Sequence, residues 1–186
     1  MRASLLFPLA AVAVLAASAA QARPYMVDKS ASRLGFTGAM SGAAFQGSFR
    51  RWDATIDFDP NNLPASRAVV IVDMTSAATG DGARDEALPS SDWFAAKTHP
   101  RATFVSRSIT RTGPNRYAAA GTLTIRGVAR PVVLPFTLAL TGPTAKMTGQ
   151  LVLDRTTFGV GQGQWRTGST VATQVTVNVN LTATAR

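Results

Sequence analysis

Hydrophobic residues recur at every second position over most of this 186-residue chain. The clearest stretch is VATQVTVNVNLTATA near the C-terminus, where Val175, Val177, Val179 and Leu181 share one face and polar residues occupy the other. A period of two is typical of a half-exposed antiparallel strand. The same alternation predicts further strands in RLGFTG, ATIDFD, RAVVIVDM, AAAGTLTIRG and PVVLPFTLAL.

Turn-forming residues separate these alternating stretches. Asp59–Asn62, Thr112–Asn115 and Thr141–Pro143 each combine proline with glycine or asparagine in the order that favours a turn. Strands therefore recur at roughly every ten to fifteen residues, which favours a barrel or a sandwich over alternating strands and helices. The sequence predicts an all-β domain.

One segment, LPSSDWFAAKTHP, does not alternate. Ser90 or Ser91 can cap a short helix there, and Pro100 ends it. We expect its aromatic residues, Trp93 and Phe94, to pack onto one end of the β structure.

The N-terminus has the order of a secretory signal peptide. Arg2 precedes an apolar run from Leu5 to Ala17, and small residues follow up to Ala22. The run is too short for a transmembrane helix, although an uncleaved membrane anchor is the rival interpretation. We predict a signal peptide at residues 1–22, a single domain at residues 23–186, and export from the cytoplasm.

Composition narrows the class of function. The formal charge of +9 falls to +8 without the signal peptide, and sixteen of the nineteen basic residues are arginine. The arginines are scattered, with no run longer than two, which argues against nucleic-acid binding and suits a solvated surface that tolerates peripheral contact with a membrane. The absence of cysteine excludes thiol catalysis, thiolate metal sites and disulfides.

Catalytic motifs are missing from the sequence. The only histidine is His99, so a Ser–His–Asp set would have to use it. Four acidic residues, Asp81, Asp85, Glu86 and Asp92, lie in one polar segment, but their spacing does not match a calcium-binding loop. We therefore predict no catalytic residue, no metal site and no enzymatic activity, and interpret the chain as a binder or carrier.

One cation occupies an unexpected position. In QLVLDRTTFGVGQGQW, Leu151 and Leu153 share the apolar face of a strand, and Arg155 is the next residue on that face. A guanidinium keeps its charge, and burying it without partners is costly. It must meet either carbonyl groups of the protein or a polar ligand.

Five blocks carry a family resemblance: FQGSFRRWDATIDFDPNNLPAS, Asp85 with LPSSDWF, HPRATFVS, GTLTIRGVARPV and DRTTFGVG. In this order they resemble the YceI-like family over nearly the whole mature chain. The resemblance implies an eight-stranded antiparallel lipocalin-like barrel with a short helix between strands, usually in the periplasm. It also implies a long apolar cavity that binds a polyisoprenoid lipid, such as the chain of a ubiquinone-like quinone or a prenyl phosphate, and no covalent cofactor.

Within such a barrel, the inward-facing positions supply the ligand-binding candidates. These are Leu34, Phe36, Phe45, Phe58, Leu123, Ile125, Leu134, Phe136, Leu151, Leu153, Arg155, Phe158, Val175 and Val177. An eight-stranded barrel encloses just enough room for a packed core or one slender ligand.

Two alternatives stay open for Arg155. It can meet a quinone oxygen or a phosphate at the mouth of the barrel, or it can close that end by stacking on Trp165 or Trp93 and binding main-chain carbonyls.

Two functions from different classes follow from these observations. The first is an exported protein that sequesters or transports a polyisoprenoid. The alternative is a non-enzymatic subunit associated with a membrane b-type cytochrome, because GVGQGQW resembles the corresponding stretch of family members that occur beside such cytochromes.

Overall fold

The computed structural model describes residues 22–186, so the predicted signal peptide lies outside it except for Ala22. The described residues form eleven strands, one α-helix and four short 3-10 helices, and none of these helices is long and apolar enough to span a bilayer. The strands are β1 (Arg23–Val27), β2 (Arg33–Met40), β3 (Ala43–Phe49), β4 (Trp52–Phe58), β5 (Arg67–Asp73), β6 (Ala77–Ala78), β7 (Arg101–Gly113), β8 (Arg116–Ile125), β9 (Val128–Thr141), β10 (Thr144–Asp154) and β11 (Gln174–Ala185). The helices are α1 (Gly82–Ala87) and the 3-10 turns Leu63–Ala65, Met74–Ser76, Arg155–Phe158 and Gly163–Trp165.

Eight strands close into an antiparallel barrel, which confirms the predicted fold. Their order is β1, β4, β5, β7, β8, β9, β10 and β11, and β11 pairs again with β1. Strands β2 and β3 extend the wall as a hairpin beside β11, and β6 adds two residues to β3. The alternation in the sequence explains the apolar interior of the barrel, because successive side chains of a strand point to opposite faces of the wall.

The two ends of the barrel are covered differently. At one end, which we call the base, the turns are short and a cluster of buried apolar residues packs together. At the other end, the lid, segments 79–100 and 155–173 lie over the opening. Ser41, in the turn between β2 and β3, donates its N–H to the carbonyl oxygen of Thr170 at 2.7 Å and so ties the lid to the wall.

The predicted helix at Ser90 or Ser91 is wrong in position. The α-helix lies earlier, at Gly82–Ala87, where the Asp81 side chain accepts a hydrogen bond from the N–H of Arg84 at 2.9 Å. The later segment folds into successive turns instead. Ala95 there has a φ of 49°, in the left-handed region, which stops a helix from propagating. Its aromatic residues Trp93 and Phe94 line the interior at the lid.

Candidate functional site

An apolar cavity of about 270 Å³ occupies the barrel interior. It reaches from Tyr25 and Leu138 near the base to Trp93 and Val171 beneath the lid. Drug-sized ligand sites generally measure about 300–1,000 Å³, so this volume lies just below that range. The space suits a slender ligand.

All fourteen residues chosen from the sequence lie on the wall of this one cavity. Alternate positions on β2, β8, β9, β10 and β11 bring ten of them together, β3 and β4 add one each, and the turn after β10 adds the last two. Their role as ligand contacts stays a prediction. They are Leu34, Phe36, Phe45, Phe58, Leu123, Ile125, Leu134, Phe136, Leu151, Leu153, Arg155, Phe158, Val175 and Val177.

The lining also includes residues that sequence reasoning missed. Phe49 and Trp52 both face the cavity although they are three positions apart, which a period of two does not allow. The wall breaks between them, because Arg50 donates its N–H to the carbonyl oxygen of Ser76 at 3.1 Å and Arg51 donates its N–H to the Ser76 hydroxyl at 3.0 Å. The paired arginines between two aromatic residues were the available sequence signal.

The chemistry of the wall is almost wholly apolar. Among the lining residues, only five have side chains with a nitrogen or oxygen atom: Tyr25, Trp52, Trp93, Thr103 and Arg155. In residues 22–186, every buried side-chain nitrogen or oxygen has a hydrogen-bond partner within the protein. The cavity therefore has no buried polar group that requires a ligand to complete it.

Arg155 is only 5% exposed and is held by main-chain carbonyls. Its Nε donates to Ala172 at 3.0 Å and its Nη1 to Val160 at 2.8 Å. Its Nη2 donates to Trp165 at 2.5 Å and to Val171 at 2.7 Å. Four of the five N–H groups of the guanidinium are thus used within the protein.

The surroundings of Arg155 fit this role. Its Cζ lies 5.3 Å from the centre of the Trp93 ring, and Gly161 has a φ of 81° and no room for a Cβ beside the guanidinium. Burial lowers the pKa of Arg155 from its ordinary value, and the neighbouring Asp154 acts in the opposite direction. This geometry corresponds to the alternative in which Arg155 closes the barrel.

A second arginine, which sequence reasoning missed, ties the lid together. Arg126 lies in the turn between β8 and β9, with a φ of 51°. Its Nη1 donates to the carbonyl oxygen of Gly159 at 2.6 Å, of Trp93 at 3.0 Å and of Asp92 at 3.3 Å. One side chain on the wall thus holds both lid segments.

Groups capable of catalysis are dispersed. Over the described range 22–186, no three side chains of histidine, aspartate or glutamate come together as a metal site would require. The His99 ring packs against Gly127, in the turn between β8 and β9. Asp85, from the acidic segment, accepts hydrogen bonds from the N–H and the hydroxyl of Thr79 at 2.6 and 2.7 Å, so it organises its own loop.

Comparison with known proteins gives a consistent result. The model of the YceI-like domain matches residues 25–183. The UPF0312 protein of Pseudomonas syringae pv. tomato is 30% identical over 173 residues, which are 88% of this chain and 90% of that protein. The crystal structure of Burkholderia cenocepacia BcnA matches with a TM-score of 0.83 at 36% identity, over 86% of this chain and all of that one.

A more distant structure has the same fold. It is a polyisoprenoid binding domain from Saccharophagus degradans implicated in plant cell wall breakdown. It matches with a TM-score of 0.67 at 16% identity, over 87% of this chain and 98% of that domain.

Proposed function

The chain belongs to the YceI-like domain family, and on that premise we propose that it is a non-enzymatic protein that holds the apolar chain of a polyisoprenoid in its barrel. The observation that carries the proposal is the cavity itself. Its wall consists almost entirely of aliphatic and aromatic side chains, and no fully buried side-chain nitrogen or oxygen of residues 22–186 lacks a partner within the protein. Such a surface favours a long hydrocarbon.

The binding energy available to such a ligand is large. Burying hydrocarbon contributes about 0.8 kcal/mol per methylene group, so one five-carbon unit contributes about 4 kcal/mol. Three units would then reach roughly the nanomolar range, and longer chains add less because affinities saturate. A small cavity is therefore sufficient for tight binding of a slender chain.

The polyisoprenoid class is supported by analogy. The Saccharophagus degradans domain is described as polyisoprenoid binding and has the same barrel. Branched prenyl chains also suit a wall that mixes aromatic rings with leucine and valine, since such side chains pack around methyl branches. We place no catalytic residue and no covalent cofactor in this chain.

We further propose that the protein acts in the periplasm after removal of residues 1–22. The arrangement of Arg2, the apolar run and Ala22 supports this. The intact mass of protein released by osmotic shock should correspond to a chain that begins at Arg23. A mass that retains residues 1–22 would contradict periplasmic release.

Mass spectrometry of an apolar extract tests the proposed function. The protein should be purified after export in its native host, and a prenyl lipid should be present in stoichiometric amount. A protein that carries no lipid, and that co-purifies instead with a membrane b-type cytochrome, would support the interaction subunit.

A pair of arginine substitutions gives a matched control. Leu134→Arg should abolish lipid retention, because the residue lines the cavity and an unpaired cation there is costly. Thr124→Arg, on β8 but outside the lining, should retain lipid. Equal loss of lipid in both variants would contradict the assignment of the ligand to the barrel interior.

A further inference from the structure

Strands β9 and β10 are joined by a ladder over only part of their length, and we call the stretch without a ladder the seam. Pairing between these strands covers only Phe136–Thr141 with Thr144–Gly149. By contrast, β10 pairs with β11 along its full length, and β9 pairs with β8 from its first residue. Between Gly149 and the lid, within the described part of the chain, the last five residues of β10 and the first eight residues of β9 are not joined by a ladder.

Proline explains why the seam does not close. Leu138 donates its N–H to Asn115 on the β8 side, at 2.9 Å. Successive N–H groups of a strand point to opposite neighbours, so the nitrogens of the odd-numbered residues of β9 face β10. Pro131 and Pro135 occupy two of these positions and have no hydrogen to donate, a pattern that is tolerated at a free edge.

The seam has defined limits. At its lower end, Gly149 lies opposite Phe136, and a Cβ at Gly149 would come within 3.0 Å of the Pro135 carbonyl oxygen. At its upper end, Arg130 donates from Nε to the carbonyl oxygen of Thr157 at 3.3 Å. The five unpaired residues of β10 between these limits span about 16 Å.

The middle of the seam is apolar on both faces of the wall, between the polar residues Gln150 and Asp154 of β10. If the register of the paired part continued, Val133 would lie opposite Val152 on the outer face, and Leu134 opposite Leu151 on the inner face. Val133 and Val152 are 54% and 59% exposed, and Leu134 and Leu151 line the cavity. At these positions, apolar side chains stand between solvent and cavity, and no strand ladder joins β9 to β10.

We propose that the β9–β10 seam is the route by which the hydrocarbon chain of the ligand enters and leaves the cavity. This inference rests on the proposed function and adds the route to it. No ladder joins β9 to β10 beyond Gly149, so the strands should separate more easily here than along a paired stretch, and the apolar side chains at the gap accept a hydrocarbon. The lid offers a poorer route, because Arg126 and Arg155 bind its segments through several carbonyl groups.

A reversible crosslink tests the route. The chain has no cysteine, so Val133→Cys/Val152→Cys introduces a single pair across the seam. Binding of a fluorescent geranylgeranyl probe is followed by stopped flow before and after oxidation. We expect oxidation to lower the association rate at least tenfold and reduction to restore it. The matched control, Val69→Cys/Val105→Cys, joins outward positions of the paired strands β5 and β7 and should change the rate less than twofold.

A second variant makes the test independent of disulfide geometry. Val152→Cys modified with a polyethylene glycol maleimide should take up the probe at least tenfold more slowly than Val105→Cys modified in the same way. Equal rates for these two proteins, or an unchanged rate in the crosslinked protein, would overturn the seam as the route. If the unmodified protein binds no probe at all, the proposed function fails. Rapid binding by a protein whose seam is blocked would contradict only the route.

Discussion

The two ends of the barrel are closed by different chemistry. At the base, Phe58 and Tyr117 are 6% and 4% exposed, their rings meet edge to face at 5.6 Å, and Phe136 stacks on Tyr117 at 5.4 Å. At the lid, the side chains of Arg155 and Arg126 donate to main-chain carbonyls of segments that fold as turns rather than strands. The base therefore depends on packed side chains alone, whereas the lid also depends on individual polar contacts.

This difference predicts different tolerance to substitution. A packed apolar cluster accepts a residue of similar volume at modest cost. A buried carbonyl that loses its donor carries the full cost of desolvation, because no neighbouring side chain replaces the bond. Single changes at the lid should therefore be more damaging than comparable changes at the base.

The largest effect is expected for Arg155→Leu. It removes the donor from the carbonyl groups of Val160, Trp165, Val171 and Ala172. We expect the free energy of unfolding, measured by denaturant titration, to fall by about 3–5 kcal/mol.

Arg166→Leu is the matched control for this change. Arg166 lies in the same lid segment but is exposed, so the loss should be within about 0.5 kcal/mol. A stable Arg155→Leu protein that no longer distinguishes a quinone from a plain hydrocarbon would instead assign Arg155 to head-group recognition.

A smaller effect is expected at the base for Phe58→Leu. The change keeps an apolar side chain in contact with Tyr117 but loses the edge-to-face ring contact. The free energy of unfolding should fall by about 1–1.5 kcal/mol. Met26→Leu, on the exposed part of β1, should leave it nearly unchanged. A loss at Phe58 as large as at Arg155 would remove the proposed difference between the two ends.

The same difference separates what the sequence could predict from what it could not. The barrel and the inward face of β11 follow from alternation, because a strand sends successive side chains to opposite faces. The inward positions of Phe49 and Trp52 could not be found in this way, since the break between them depends on Ser76 in a distant segment. A periodicity argument fails where a strand is interrupted by contacts from elsewhere.

The lid was the least predictable region. Serine is a common helix-capping residue, which suggested Ser90, but Asp81 caps the helix that forms. Capping preferences alone did not distinguish the two positions. The alternatives for Arg155 depended on which carbonyl groups came within reach, and those carbonyls belong to residues up to 17 positions along the chain. Residue types alone indicated a buried cation, and only the folded loops supplied its partners.

Acid should loosen the lid before the base. The Thr79 hydroxyl, followed by the N–H groups of Thr79 and Gly80, lowers the pKa of Asp85 below its ordinary value. A lowered folded-state pKa means that this stabilisation is present above the ordinary aspartate pKa and is lost as the pH falls through the folded-state value, below about pH 4.

Hydrogen exchange, corrected for its intrinsic pH dependence, measures the effect. Amides of segment 79–87 should lose protection between pH 6 and pH 3, and amides of β8 near Tyr117 should not. In Asp85→Asn, the lid amides should be less protected at pH 6 and should change less on acidification. Simultaneous loss of protection at both ends would contradict a local, acid-sensitive lid.

The smallest effect is expected for His99→Ala. His99 lies where the lid segment meets β7, so a role in proton transfer or metal binding would place chemistry at this end of the barrel. Its main-chain N–H donates to the carbonyl oxygen of Ala95 at 2.8 Å, and the substitution keeps this bond. What is lost is the contact of the ring with Gly127. We expect the free energy of unfolding to change by less than about 1 kcal/mol, and the amount of lipid in an apolar extract to stay the same. A variant that is as stable as the original protein but no longer retains lipid would show that His99 acts chemically. The role of the lid would then have to be reinterpreted around this residue.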